Sequence, residues 1–216
     1  RPANEVAYPA AVSYDDYDGR RAVREQNPVS EATLARVNGF ACRSADVLLS
    51  GASGNANYSP LSLYYALALL CEGATGETRA QLAAALTGSA DAMPGEELGN
   101  LMRRLYTDDG IGRLRIANSL WMRAGLPFGE AFCNTAAEDY YAALFTLDFD
   151  DASAGQAIAA WVAEQTGGMI EPEIELPPGQ ILLLANTVLF EDEWLDAFSE
   201  ERTADGAFHA AGGDVN

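Results

Sequence analysis

Nucleophilic catalysis has little to work with in this sequence. Histidine occurs once, as His209, so a Ser-His-Asp or Cys-His site would have to be built on that single imidazole. No Gly-x-Ser-x-Gly elbow and no papain-like cysteine motif accompanies it, and His209 reads as a surface strand residue; the chain does not look like an enzyme. Cysteine is scarce as well. Cys42, Cys71 and Cys133 are an odd set without a Cys-x-x-Cys pair, which argues against a disulfide framework or a zinc ribbon and points to buried free thiols. Basic side chains are few: 13 against 32 acidic ones, a net charge of −19. Such a surface repels phosphate backbones, so nucleic acid is not expected as a partner. Long apolar runs are also missing. The candidates, residues 61–71 and 181–190, fall short of the roughly 18 to 20 residues that cross a bilayer, and no membrane span is expected.

What is present is a globular sequence: 49% of its 216 residues are hydrophobic, enough to bury a sizeable core. Residues 1–28 show little periodicity and read as an N-terminal extension, loose or draped over the body. Over 29–49 the set Leu34, Val37, Phe40, Ala41, Val47 and Leu48 repeats at helical spacing. Pro60 suits the first turn of a second helix, and residues 61–71 are apolar around most of their circumference, which places that helix in the centre of the fold. Helices follow over 77–86, with Gly88 just past the end, and over 96–106. From 113 to 122 the period changes to two. Leu114, Ile116, Leu120 and Met122 share one face and Ala117, Ser119 and Trp121 the other, which is a strand. Residues 128–143 read as helix, 144–149 as a short strand, and Asp151 or Ser153 caps a helix carrying Ile158, Trp161 and Val162 that Gly167 and Gly168 stop. The run 181–190 holds almost nothing polar except Asn186 and Thr187, the mark of a mid-sheet strand covered on both faces. Helices first, then strands placed irregularly among further helices, give a mixed α/β domain without doubly wound alternation.

The carboxylates do not single out a metal. A calcium loop with Gly19 at its sixth position puts Tyr14 at the first, where a ligating carboxylate is needed, so Asp15 to Gly19 reads as a solvated turn. Asp148, Asp150 and Asp151 have a plain role at a strand end and helix cap. No spacing among the acids picks out a glycosidase pair. Neither a metal nor a cofactor is expected.

Residues 57–82, NYSPLSLYYALALLCEGATGETRAQL, resemble the serpin pattern of a short strand, Ser-Pro-x-Ser, an apolar helix, a Gly-Ala-x-Gly-x-Thr turn and Gln-Leu. IANSLW (116–121), Trp161-Val162 with Thr166, Gly168 and Ile170, LANTVLF (184–190), Trp194, Phe198, Thr203 and Phe208 follow in the same order. The chain is therefore identified as resembling the N-terminal part of a serpin, of bacterial type. The resemblance implies a mixed α/β fold with a large central sheet, smaller sheets and surrounding helices. It divides the chain into the extension at 1–28 and a partial serpin domain at 29–216. The strands at 114–122 and 181–190 would be neighbours in the large sheet, with the helix of Trp161 across its face. Ser59, Ser62 and Asn186 match the conformational gate at the sheet centre, where strands part, and Trp194 matches the aromatic at the sheet top, where insertion begins. Ser59 also has a plain role as helix N-cap before Pro60.

The function implied is suicide inhibition of a serine protease, or less often a cysteine protease, by insertion of a cleaved reactive loop into the large sheet. The expected partners are a target protease and the remainder of the serpin domain, because the family carries its reactive site beyond the part matched here. A secreted, extracellular or cell-surface protein is expected, and Arg1 in first position fits a trimmed start. The alternatives are a non-inhibitory relative acting as chaperone, carrier or storage protein, and an acidic surface-binding module. Met169, where the family often has lysine, and the acidic turn Glu191-Asp192-Glu193 depart from the pattern in surface charge, and the acidity disfavours a heparin-type basic site.

Overall fold

The computed structural model describes residues 2–4, 6–90, 95–210 and 213–215; both termini, Arg1 and Asn216, lie outside them. Its centre is a pair of long antiparallel strands, β2 (Arg113–Arg123) and β4 (Leu182–Glu191), in register from Arg113 opposite Glu191 to Met122 opposite Leu182. On the far side of β2, β3 (Ala142–Leu147) runs parallel to its C-terminal half, and the short β1 (Thr107–Asp108) pairs antiparallel with its start. A separate hairpin joins β5 (Phe208–Ala210) to β6 (Gly213–Val215).

Period-two alternation along β2 splits the molecule into two layers. Ile116, Leu120 and Met122 face a core built by α2 (Glu31–Leu49), α3 (Pro60–Gly73), α4 (Gly76–Thr87), α5 (Gly95–Leu105) and α6 (Glu130–Glu138). Ala117 and Trp121 face a second, smaller core with α7 (Ala154–Gln165), where Trp121 stacks on Phe145 with ring centroids 3.9 Å apart and Ile158 and Trp161 close above. The helix that is apolar all round is central, as its composition requires: Tyr64, Tyr65, Ala68, Leu69 and Cys71 of α3 are buried. Ser59 caps it, Pro60 occupies its first turn, and Gly88 ends α4 with φ +78, in the left-handed region that glycine enters without steric cost.

Three readings change. Residues 17–26 form a helix, α1 (Tyr17–Gln26), which begins at Asp16, where the Asp16 carboxylate accepts the Gly19 amide at 2.8 Å. Asp15 lies in an exposed turn as expected, while Asp16 caps the helix and Asp18 sits in its first turn. None of its residues is buried, so it carries no apolar period to detect. The helix expected over 128–143 stops at Glu138, because Tyr141 takes φ +53 and turns the chain into β3. A positive φ at a tyrosine is rare and gives no composition signal. Cys42 is exposed and Cys133 half-buried, so only Cys71 is a buried thiol. Finally, among the described residues β4 pairs with β2 alone. Its other edge has no partner among these residues, with Ile181 just before it and Phe190 near its end exposed; the mid-sheet reading concerns strands beyond those described.

Two tertiary ties give direct tests. Glu97 on α5 accepts hydrogen bonds from Thr33 and, at 2.8 Å, from Ser30, the cap of α2. These bonds, Thr33 first, hold its carboxyl below the usual range. A depressed folded pKa adds stability above the ordinary glutamate value of about 4.3, and that stability is lost as pH falls through the lower folded value. The difference in unfolding free energy between wild type and Glu97→Gln should therefore be largest near neutrality and close on acidification; a difference that does not vary with pH would contradict this. At Gly155 in α7, a Cβ would run into the backbone carbonyl of Ile174. Gly155→Ala should lower stability by about 1 to 3 kcal/mol in urea unfolding, the usual cost of overpacking; unchanged stability would mean that the 171–176 segment yields freely.

Candidate functional site

In the middle of β2 and β4 the apolar ladder is interrupted by one polar pair. Asn118 stands opposite Asn186 in register, and Asn186 Nδ2 donates to Asn118 Oδ1 at 2.6 Å. Asn118 Nδ2 in turn donates to the Tyr140 carbonyl at 2.7 Å, just before the chain enters β3. Asn118 thus links three segments that lie side by side. Alternation puts both asparagines on the face that carries Leu184 and Val188, the face against which α3 packs. Asn186 Oδ1 is buried with no hydrogen-bond partner, and so is the hydroxyl of Thr187 next to it on the opposite face. A buried acceptor without a donor costs about 1 to 3 kcal/mol. Both unpaired groups sit on β4, which pairs with β2 alone among the described residues.

The serine pair belongs to the start of α3. Ser59 Oγ accepts the Ser62 amide at 3.3 Å, and Ser62 Oγ donates to Ser59 Oγ at 2.8 Å. That is an N-cap reinforced by a second hydroxyl. Among the described residues no hydrogen bond joins it to Asn186, so the structure places the two groups on packed elements without connecting them. Trp194 lies beyond the end of β4, 76% exposed, with its ring edge-to-face with Phe198 at 6.1 Å. Phe190, Leu195, Phe198 and Phe208 are exposed in the same part of the chain, an unusual concentration of apolar surface.

The residue that sequence reading passed over is Asn118. It sits inside the motif at 116–121, and the signal was available: a polar side chain on the face of Ile116, Leu120 and Met122, in a strand whose alternation is otherwise apolar. Around the thiols, burial pushes Cys71 and Cys133 up, away from thiolate reactivity. Among the described residues no three His, Cys, Asp or Glu side chains gather as metal ligands, and no helix is long and apolar enough to cross a membrane. His209 lies in β5, exposed.

Comparison with known proteins gives a consistent picture. A family model described as serpin (serine protease inhibitor) matches residues 35–216. Serpin-ZXA of Oryza sativa subsp. japonica is 34% identical over 198 residues, covering 84% of this chain and 50% of that protein. Among solved structures, the thermophilic serpin tengpin is similar in its latent state (28% identity, TM-score 0.74, 86% of this chain and 51% of that one) and in its native state (26%, 0.75, 99% and 52%). The chain spans about half the length of the curated relatives it matches.

The hydrogen-bond geometry ranks two substitutions. Asn118→Ala leaves the Tyr140 carbonyl and the Asn186 amide without partners, and should cost about 2 to 3 kcal/mol in denaturant unfolding. Asn186→Ala also removes the acceptor that is already unpaired, so its cost should be clearly smaller. Equal losses, or the reverse order, would contradict the assignment of Asn118 as the linking residue.

Proposed function

Since the chain belongs to the serpin family, we propose that the protein it forms is a suicide inhibitor of a serine protease, acting outside the cell, with a cysteine protease as the less common target. The observation that supports this most directly is the match of residues 35–216 to the serpin family, together with a long apolar strand pair, β2 and β4, that carries a polar pair and an unpaired buried acceptor at its midpoint. In the family's mechanism a sheet of such strands gains backbone hydrogen bonds and apolar burial when a strand is added, which is the driving force that loop insertion needs.

In this reading the protease nucleophile attacks a peptide bond of the reactive loop, the amine half leaves, and the acyl half stays esterified to the enzyme. The acylated strand then inserts beside β4, displaces the enzyme and stalls hydrolysis of the ester. The loop that selects the protease is assigned to the half of the family's domain that this chain does not span. Residues 1–28 are an extension to the domain and 29–216 its N-terminal part. The protein is consumed by its target and is not itself an enzyme.

Asn186 is assigned to the gate, with Ser59 and Ser62 at the helix entry beneath it and Trp194 at the top, where the strand enters. The unpaired Asn186 Oδ1 supports this role, since it would accept a donor from the next strand and release it when the sheet opens. Trp194, exposed at the end of β4, is available to an entering segment.

Incubation of the protein with a panel of serine and cysteine proteases should give a gel-shifted adduct that survives denaturant with at least one of them. Turnover of the loop with no adduct across the panel would favour a non-inhibitory relative. Within an inhibitory protein, Asn186→Ala should change the rates of loop insertion and of heat-induced polymerisation; rates identical to wild type would remove the gate assignment.

A further inference from the structure

Residues 2–4 and 6–8 lie outside the span matched by the family model, which starts at residue 35, and they are tied to the far edge of the sheet. Asn4 does there what a neighbouring strand would do. Its Nδ2 donates to the Ala142 carbonyl at 3.0 Å and its Oδ1 accepts the Leu144 amide at 2.7 Å, while the Ala3 amide donates to the Leu144 carbonyl at 2.5 Å. The side-chain carboxamide thus stands in for a peptide group, closing outward-facing groups of β3 that an open edge would leave to water or to another chain.

The side chains alternate as they do in an extended strand. Asn4, Val6 and Tyr8 are half-buried and line a cavity of about 570 Å³ against Trp121, Phe145 and Trp161, whereas Ala3 and Ala7 are exposed. Val6 and Tyr8 pack on the α7-side core. Tyr8 stacks with Tyr106 at 5.9 Å and with Tyr141 at 6.5 Å, and the Arg115 guanidinium lies 6.0 Å from its ring. The positive φ of Tyr141 therefore places one wall of the Tyr8 site. Period-two side chains in a channel, with main-chain bonds along a sheet edge, are the two components of peptide recognition by strand addition.

We propose that the channel between the outer edge of β3 and α7 is an acceptor site for an extended peptide of the pattern Asn-x-Val-x-Tyr, and that Asn4, Val6 and Tyr8 are its resident, self-supplied occupants. The few main-chain bonds and the cavity left beneath the strap make it an exchangeable occupant rather than a fixed strand. This site does not depend on the inhibitory reading, since it lies across β2 and β3 from the open edge of β4.

The test uses the full chain and hydrogen exchange at the Leu144 amide. Asn4→Asp replaces the donor to Ala142 with a carboxylate oxygen that the carbonyl repels, and should speed exchange at Leu144 by about ten-fold relative to wild type. A synthetic peptide with the wild-type sequence of residues 2–8, added in trans, should restore protection in the variant in a saturable way and change nothing in wild type. The same peptide carrying aspartate at the asparagine position should fail to restore it. Unchanged exchange in Asn4→Asp would remove the strap, and fast exchange that the wild-type peptide does not slow would remove the acceptor site.

Discussion

One polar pair in the middle of an apolar strand pair organises this molecule. β4 runs along β2 in register over ten residues, and at their midpoint Asn186 donates to Asn118, which donates on to the Tyr140 carbonyl ahead of β3. Beside that chain of bonds Asn186 Oδ1 and the Thr187 hydroxyl are buried without partners, at a cost of about 1 to 3 kcal/mol for such a group. In the proposed mechanism this is where the sheet would part to admit a strand.

The remaining elements pack around that pair. α3 packs beneath β4, with Tyr65 bonded through its hydroxyl to the Leu98 carbonyl of α5 and Tyr64 edge-to-face with Phe40 of α2. Burial pushes the Tyr65 and Tyr140 phenols far up, which keeps both neutral in the core. On the other face α7 lies over Trp121 and Phe145, and Arg123 at the end of β2 clamps Asp150 in a bidentate pair at 2.7 and 3.1 Å while donating to the Gln180 carbonyl just before β4. The polar ties thus converge on the ends and the midpoint of the same two strands.

Much of this was legible in the sequence. The switch from helical spacing to period two at residue 113 located β2, and the all-round apolar helix placed α3 at the centre. The motif order identified the family and paired the two long strands. What escaped detection did so for physical reasons. α1 is held by its Asp16 cap and by surface charge, including Arg21 with Asp18 at 2.6 Å, so it has no buried stripe. β3 begins at a tyrosine in a left-handed conformation that no local composition predicts. Asn186 was found through the family motif, but its partner Asn118 was overlooked, because pairing depends on register and register is a tertiary property.

The central claim, that the cleaved loop adds a strand beside β4, can be measured directly by amide hydrogen exchange in the whole protein before and after cleavage by a reactive protease. The account predicts that β4 amides paired with β2 stay protected throughout, while those facing away from β2 exchange more slowly after cleavage than before it. Equal rates at those amides in both states would contradict it.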